Sequence, residues 1–125
     1  MRAGYPFRAI ADSGAAIAMG SDWPVSPADP WLAIHVAVNR TLPGPDGQPR
    51  EPLDATQRLT LTEALAAYTS GSAELVLGGG GMLRIGGRAD IAVSTVDPFA
   101  IPAEALIGVG TAVTIVGGAV VHTRE

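Results

Sequence analysis

Residues 16–25 read Ala16-Ile17-Ala18-Met19-Gly20-Ser21-Asp22-Trp23-Pro24-Val25, an apolar run that ends in one acidic residue and a proline-containing loop. A short apolar run bounded by glycine and proline is typical of a buried strand, so we expect a strand over 15–19. Asp22 would then lie at the carboxyl end of that strand, the edge where α/β folds place their chemistry. The stretch predicts an α/β fold with an acid at a strand end.

Helix signals stand on both sides of this strand. The spacing of apolar residues predicts a short helix over 6–13, and Gly14 follows as a stop. After the loop, Asp29-Pro30 supply an N-cap and a first-turn proline for a helix that runs to about Arg40. The order predicted for the first third of the chain is therefore helix, strand, loop and helix.

The middle of the chain predicts a loop and a second helical region. Residues 42–52 are rich in proline and glycine and indicate an exposed loop. Thr60 and Glu63 are spaced as in a capping box, in which each side chain bonds the other's backbone N–H, and a helix to about Ser70 follows. Residues 72–77 can extend this helical region.

The last third changes to strand periodicity. Residues 89–96 and 112–116 are short and β-branched, and Gly117-Gly118 forms a favourable two-residue hairpin turn before another strand. Residues 102–104 favour a short helical turn between the strand regions. The chain therefore divides into a β/α part and a β-rich tail.

Composition limits the classes of partner. The 125 residues carry 12 acidic and 8 basic side chains without long runs of either sign, and the net charge is -4. This pattern excludes the basic surface expected for nucleic acid or an anionic membrane, and it favours small molecules or protein surfaces. No apolar run approaches the ~18 residues of a membrane span, and no signal peptide is apparent, so we expect a cytoplasmic protein.

Other residue types give little support for alternative chemistry. The chain has no cysteine, which excludes disulfides, thiolate metal sites and a cysteine nucleophile. Its two histidines, His35 and His122, lack metal-binding spacing; we expect His35 to be a packed helix residue and His122 an exposed one. The glycine run 78–81 is interpreted as a turn, and the scattered arginines as solvated.

Asp22 has three chemical interpretations that the residues alone leave open. Its carboxylate could ligate a divalent metal, accept a proton from water, or cap the loop by bonding backbone N–H groups of residues 23–26. Trp23 and Trp31 flank this loop. They could wall a substrate pocket or cover the end of a core, and the core interpretation is favoured.

Three motifs in order carry a family resemblance: Gly20-Ser21-Asp22-Trp23-Pro24-Val25; Leu59-Thr60-Leu61-Thr62-Glu63-Ala64-Leu65 with Tyr68-Thr69; and Gly87-Arg88-Ala89-Asp90-Ile91. With them, the chain resembles the amidohydrolase superfamily. More narrowly, it is similar to the C-terminal part of the family that contains N-substituted formamide deformylases. Residues 116–121 look like that family's closing hairpin.

The resemblance implies a metal-dependent (β/α)₈ barrel joined to a small β-sandwich. Residues 1–80 would be the last β/α units of the barrel, and residues 81–125 the returning strands of the sandwich. Asp22 matches the acid at the end of the eighth barrel strand, which contacts the catalytic metal and takes a proton from the attacking water. Trp23 and Pro24 would lie beside the substrate pocket, whereas Asp90 would be structural.

The implied activity is hydrolysis of amide- or formamide-like, non-peptide C–N bonds in small molecules, with a divalent metal, zinc being expected. About seven of the eight barrel units, with the remaining metal ligands, have no counterpart in these 125 residues. Because a catalytic metal needs about three protein ligands, Asp22 cannot hold it alone. We therefore expect a fragment of a longer enzyme that binds no metal tightly and is incomplete by itself.

A second hypothesis is a non-catalytic structural module. Apolar helix faces such as residues 31–38, without a barrel to cover them, would expose a patch large enough to drive self-association into a homo-oligomer.

Overall fold

The computed structural model describes residues 4–48 and 50–124 as a mixed α/β structure with four α-helices and a three-stranded antiparallel sheet. The helices are α1 (Phe7–Asp12), α2 (Pro30–Asn39), α3 (Leu61–Ala66) and α4 (Ser72–Leu77); the strands are β1 (Ile91–Ser94), β2 (Thr111–Val116) and β3 (Ala119–Thr123). Two 3-10 helices occupy Ala55–Gln57 and Ala103–Gly108. A π-helical turn, Ala67–Gly71, joins α3 to α4.

The predicted helix caps are confirmed. The Asp29 carboxylate accepts a hydrogen bond from the backbone N–H of Trp31 at 2.9 Å, and Pro30 opens α2. Both bonds of the capping box are present: the Glu63 carboxylate accepts from the N–H of Thr60 at 2.7 Å, and the Thr60 hydroxyl accepts from the N–H of Glu63 at 3.2 Å. These local signals fix where α2 and α3 begin.

The sheet has the order β1-β2-β3, with both pairings antiparallel. The predicted hairpin is confirmed, since Gly117 and Gly118 take φ values of 57° and 85° between β2 and β3. The Asp90 carboxylate accepts from the N–H of Gly117 at 2.7 Å and pairs with Arg88 at 2.7 Å. Asp90 therefore ties the start of β1 to the hairpin turn.

The core lies between α2, α3 and the 3-10 helix at 103–108. Its buried members from α2 are Trp31, Ile34 and Ala37, and they pack with Leu59, Ala64, Leu106 and Val109. Trp31 therefore belongs to the core, as expected. The expectation that residues 31–38 form an exposed patch is wrong, because the 3-10 helix and α3 cover that face.

The strand predicted over 15–19 is not present. Residues 15–22 form neither helix nor strand, and the alanines at 15, 16 and 18 are exposed. A strand needs a neighbouring strand to pair its backbone groups. Among the described residues the three strands pair only with each other, so the segment packs against helices instead.

Two further expectations are wrong. Trp23 is 70% exposed and takes no part in the core. The arginines are not all solvated, since Arg40 is 4% exposed and Arg8 forms a double hydrogen bond with Glu63. Within residues 4–48 and 50–124, no helix is long and apolar enough to cross a bilayer.

Candidate functional site

The segment before Asp22 is fixed to the α3–α4 region by backbone contacts. The N–H of Met19 donates to the carbonyl of Ala67 at 3.0 Å, and the Ser72 hydroxyl donates to the carbonyl of Met19 at 2.7 Å. The carbonyl of Ile17 lies so close to Gly71 that a Cβ atom there would clash with it. Gly71 is therefore required for this close approach.

The loop that carries Asp22 is closed on itself. The N–H of Val25 donates to the carbonyl of Asp22 at 2.8 Å, and the Ser26 hydroxyl donates to the carbonyl of Ser21. Asp22 has a φ of 56°, in the left-handed region that aspartate tolerates better than most residues. The segment anchored at Met19 thus leads into a tight turn that presents Asp22.

The Asp22 carboxylate is exposed and accepts no hydrogen bond from the residues that the structure describes. The loop-capping interpretation is therefore wrong, because the N–H of Val25 is taken by the backbone carbonyl rather than by the side chain. The left-handed turn is kept without a bond to the carboxylate from any described residue. Asp22 is available to an external partner.

An apolar groove of about 300 Å³ lies beside this loop. Met19, Ser26 and Pro27 form one side, and α2 contributes Leu32 and Val36. Trp23 and Pro24 follow Asp22 directly and are exposed. The loop therefore combines a free carboxylate, an exposed indole and a neighbouring apolar surface.

The residues that the structure describes do not by themselves supply a metal centre. No group of three histidine, cysteine, aspartate or glutamate side chains lies together within the described ranges 4–48 and 50–124. His35 and His122 stand on separate elements, in α2 and β3. Since a protein-bound catalytic metal takes about three such ligands, the donors described here do not fit one.

His35 is a packed helix residue, as expected, but it carries a polar network that the sequence analysis did not find. Its ring is 3% exposed, and Nδ1 lies 3.1 Å from the Nδ2 atom of Asn39. The same Nδ2 atom donates to the carbonyl of Ala103 at 2.8 Å. The spacing of four residues, which puts both side chains on one helix face, was the available signal. His122 is exposed, as expected.

The roles of Gly71 and Ser72 in anchoring the segment that leads to Asp22 were also not predicted from the sequence. The signal was present as an isolated glycine inside a helical pattern. Such a glycine costs helix stability and often marks a close backbone approach.

Comparison with known proteins places these features in a family. A family model described as "Amidohydrolase family" matches residues 1–122. The chain is 30% identical over 127 aligned residues to "Putative amidohydrolase YtcJ" of Bacillus subtilis (strain 168), covering 100% of this chain and 24% of that protein. It is 35% identical over 69 residues to "Protein LONG AFTER FAR-RED 3" of Arabidopsis thaliana, covering 55% of this chain and 11% of that protein.

The chain thus spans about a quarter of the length of the B. subtilis relative. No solved structure matches it. The family model covers almost every residue, including the Asp22 loop, the capping box and the hairpin. The chain belongs to the amidohydrolase family.

Proposed function

We propose that this chain serves as the C-terminal part of a metal-dependent amidohydrolase that cleaves amide- or formamide-like C–N bonds of small molecules. In this proposal residues 1–80 are the last β/α units of a (β/α)₈ barrel, and residues 81–125 contribute strands to a β-sandwich. The family membership supports hydrolase chemistry in general. The bond type and the substrate class are the proposed part.

The observation that supports this proposal is the exposure and hydrogen bonding of the Asp22 carboxylate. The carboxylate is exposed and accepts no hydrogen bond from the described residues, although hydrogen bonds hold the segment before it and the loop around it. A carboxylate that accepts no hydrogen bond from the described residues, at a position held in a left-handed turn, is better explained by chemistry than by loop structure.

The proposed role of Asp22 is proton transfer. A carboxylate beside a water can accept its proton as the water attacks a carbonyl carbon, and can return that proton to the leaving nitrogen. Trp23 and Pro24 adjoin Asp22 and are proposed to flank the substrate. The family's divalent metal, zinc being expected, enters this proposal only as a contact of Asp22 completed by ligands outside these 125 residues.

The test is Asp22→Asn in the longest reading frame that contains residues 1–125, assayed against a panel of N-substituted formamides and simple amides. We expect kcat to fall by about 10²- to 10⁴-fold, the usual effect of losing a general acid–base group. Metal content measured by mass spectrometry should fall as well. The unfolding midpoint should not change, because the carboxylate has no bonding partner among the described residues.

Asp46→Asn is the matched control. Asp46 is also an exposed loop aspartate, and among the described residues its carboxylate accepts one local bond, from the N–H of Gln48 at 3.1 Å. This variant should keep normal turnover and metal content. Near-normal values for both in Asp22→Asn would refute the role proposed for Asp22.

A second candidate function is self-association without catalysis. It is favoured by six large apolar side chains between residues 75 and 85 that are each at least 60% exposed: Leu75, Val76, Leu77, Met82, Leu83 and Ile85. We call these residues the 75–85 patch. Exposed apolar surface of this kind marks contact sites for protein partners.

A further inference from the structure

His35 is held in one protonation state by its surroundings. The Nδ2 atom of Asn39 donates to the carbonyl of Ala103, which fixes the orientation of the amide. The second hydrogen on Nδ2 then points to Nδ1 of His35, so Nδ1 must accept. In this arrangement the ring is neutral, with its single hydrogen on Nε2.

The Nε2–H group of His35 has no acceptor among the described residues. The atom is buried and makes no hydrogen bond within the part of the chain that the structure describes. A buried donor without an acceptor destabilises the folded state relative to a solvated one. The neutral ring is therefore held at Nδ1 by the bond from Asn39, whereas its Nε2–H is left without an acceptor among the described residues.

The charged groups near the ring act in opposite directions. Glu104, Arg50 and Arg58 line the same cavity of about 330 Å³ as His35. Glu104 lies on the 3-10 helix at 103–108, next to the Ala103 carbonyl that Asn39 holds. The two arginines oppose a positive charge on the ring, whereas Glu104 favours one.

Protonation of His35 would exchange one contact for another. A hydrogen on Nδ1 would face the hydrogens of the Asn39 amide, and that bond could not persist. The imidazolium would instead be attracted by Glu104. The link from Asn39 to Ala103 depends on the same amide, so it would weaken together with the bond to the ring.

We propose that His35 is a proton-operated latch: when neutral it holds α2 to the 3-10 helix at 103–108 through Asn39, and when protonated it releases that contact and pairs with Glu104. Leu106 and Val109, which that segment places in the core against α2, lose part of their fixation on release. Acidification would thus loosen the contact between the helical part and the sheet part of the chain. The latch is independent of the hydrolytic role proposed for Asp22.

Burial of the ring favours the neutral form of His35 in the folded chain, as the latch requires. It lowers the pKa of His35 from the ordinary value of 6.5, and the negative charge of Glu104 counteracts this in part. A folded-state pKa below that of the unfolded chain means that the unfolded chain binds the proton more readily. Stability from the latch is therefore complete above about pH 6.5 and falls as the pH drops from there towards the folded-state pKa.

The first experiment uses the unaltered chain. Long-range ¹H–¹⁵N NMR spectra should show His35 protonated on Nε2 at pH 7.5, with its titration midpoint below the ordinary histidine range. The Asn39 side-chain amide should shift in step with that titration. The protection factors of the amides of Ala105 and Val109, which correct hydrogen exchange for its intrinsic pH dependence, should fall over the same range. An Asn39 amide that stays constant while His35 titrates would overturn the latch.

The second experiment replaces the ring with a group that does not titrate. In the unaltered chain, the folded-to-unfolded ratio from urea unfolding should fall by up to about tenfold per pH unit between pH 6.5 and 5.5, the limit for one linked proton. His35→Gln should remove most of this decrease, and His122→Gln, which changes the other histidine of the chain, should not. Equal pH dependence in the two variants would count against the proposal.

Glu104→Gln tests the second contact without altering the core. Its side chain is exposed, so the fold should be kept. Loss of the negative charge should move the His35 titration to still lower pH and delay the change at Asn39. If the His35 titration stays where it was, Glu104 is not the partner of the protonated ring and the proposed exchange is wrong.

Discussion

Arg40 carries a full positive charge that is only 4% exposed. Its Nη2 atom donates to the carbonyl of Gly4 at 2.9 Å, its Nε atom donates to the carbonyl of Leu53 at 3.1 Å, and its guanidinium lies 5.4 Å from the ring centroid of Phe7. Two carbonyls and an aromatic face thus replace water around the charge. The residue joins the end of α2 to two distant segments.

Arg40→Lys is expected to destabilise the fold by about 1 kcal/mol, because an ammonium cannot reproduce the planar fork that reaches both carbonyls and one partly buried carbonyl loses its donor. Urea unfolding measures this. Arg84→Lys, a change at an exposed arginine, should be neutral within about 0.5 kcal/mol. Equal stability of the two variants would show that the fork of Arg40 contributes nothing.

The sequence did not reveal this role of Arg40, and the reason is separation along the chain. Its two carbonyl partners lie 36 and 13 residues away, and backbone carbonyls leave no signature in side-chain type. Asp22 was identifiable because it ends a short apolar run. The absence of a capping bond to its carboxylate could not be predicted, because it depends on the three-dimensional position of the Val25 N–H, which donates to the backbone carbonyl of Asp22.

Glu63 joins two elements through one carboxylate. It completes the capping box of α3 and also receives two hydrogen bonds of 2.7 Å from Arg8 in α1. The capping box was predictable because its two partners are three residues apart. The bond to Arg8 was not, because 55 residues separate the pair. The difference between neighbouring and distant partners also explains why the hairpin, which depends on a local turn, was predicted correctly. The strand predicted over 15–19 was wrong because a strand needs a partner strand from elsewhere in the chain.

Glu63→Gln separates these two roles, because glutamine can keep the capping box but loses the ion pair with Arg8. Arg8 and the bonds from Thr60 lower the pKa of Glu63 to about 2, from an ordinary 4.5. Its contribution is therefore present above about pH 4.5 and is lost as the pH falls towards 2. At pH 7 we expect the variant to lose about 0.5–1 kcal/mol, since the pair is partly exposed.

The measurement for this pair is urea unfolding from pH 7 to 3. The difference between the unaltered chain and Glu63→Gln should shrink on acidification below about pH 4.5. Glu74→Gln is the control, because Glu74 is exposed in the first turn of α4. A pH-independent difference for Glu63→Gln would mean that the negative charge of Glu63, and with it the ion pair to Arg8, does not stabilise the fold.

At the scale of the whole molecule, the buried core is concentrated around α2, while other surfaces remain apolar and open. Leu77, Met82 and Leu83 of the 75–85 patch line a groove of about 550 Å³ with Ile91 and Ile115 of the sheet. The patch is thus continuous with one face of β1 and β2. Monomeric proteins rarely leave more than a few hundred Å² of contiguous apolar surface in water.

The chain studied alone should therefore self-associate through this patch. Sedimentation velocity across a concentration series should show the average mass rising with concentration, because each copy buries the patch of another. Leu83→Lys with Ile85→Lys should shift the distribution to monomer, since a charge in such a contact would be desolvated without a partner. Val25→Lys, at a side chain 82% exposed outside the patch, should leave it unchanged. A monomer at every concentration would remove the support for a self-associating module and leave the Asp22 loop as the basis for function.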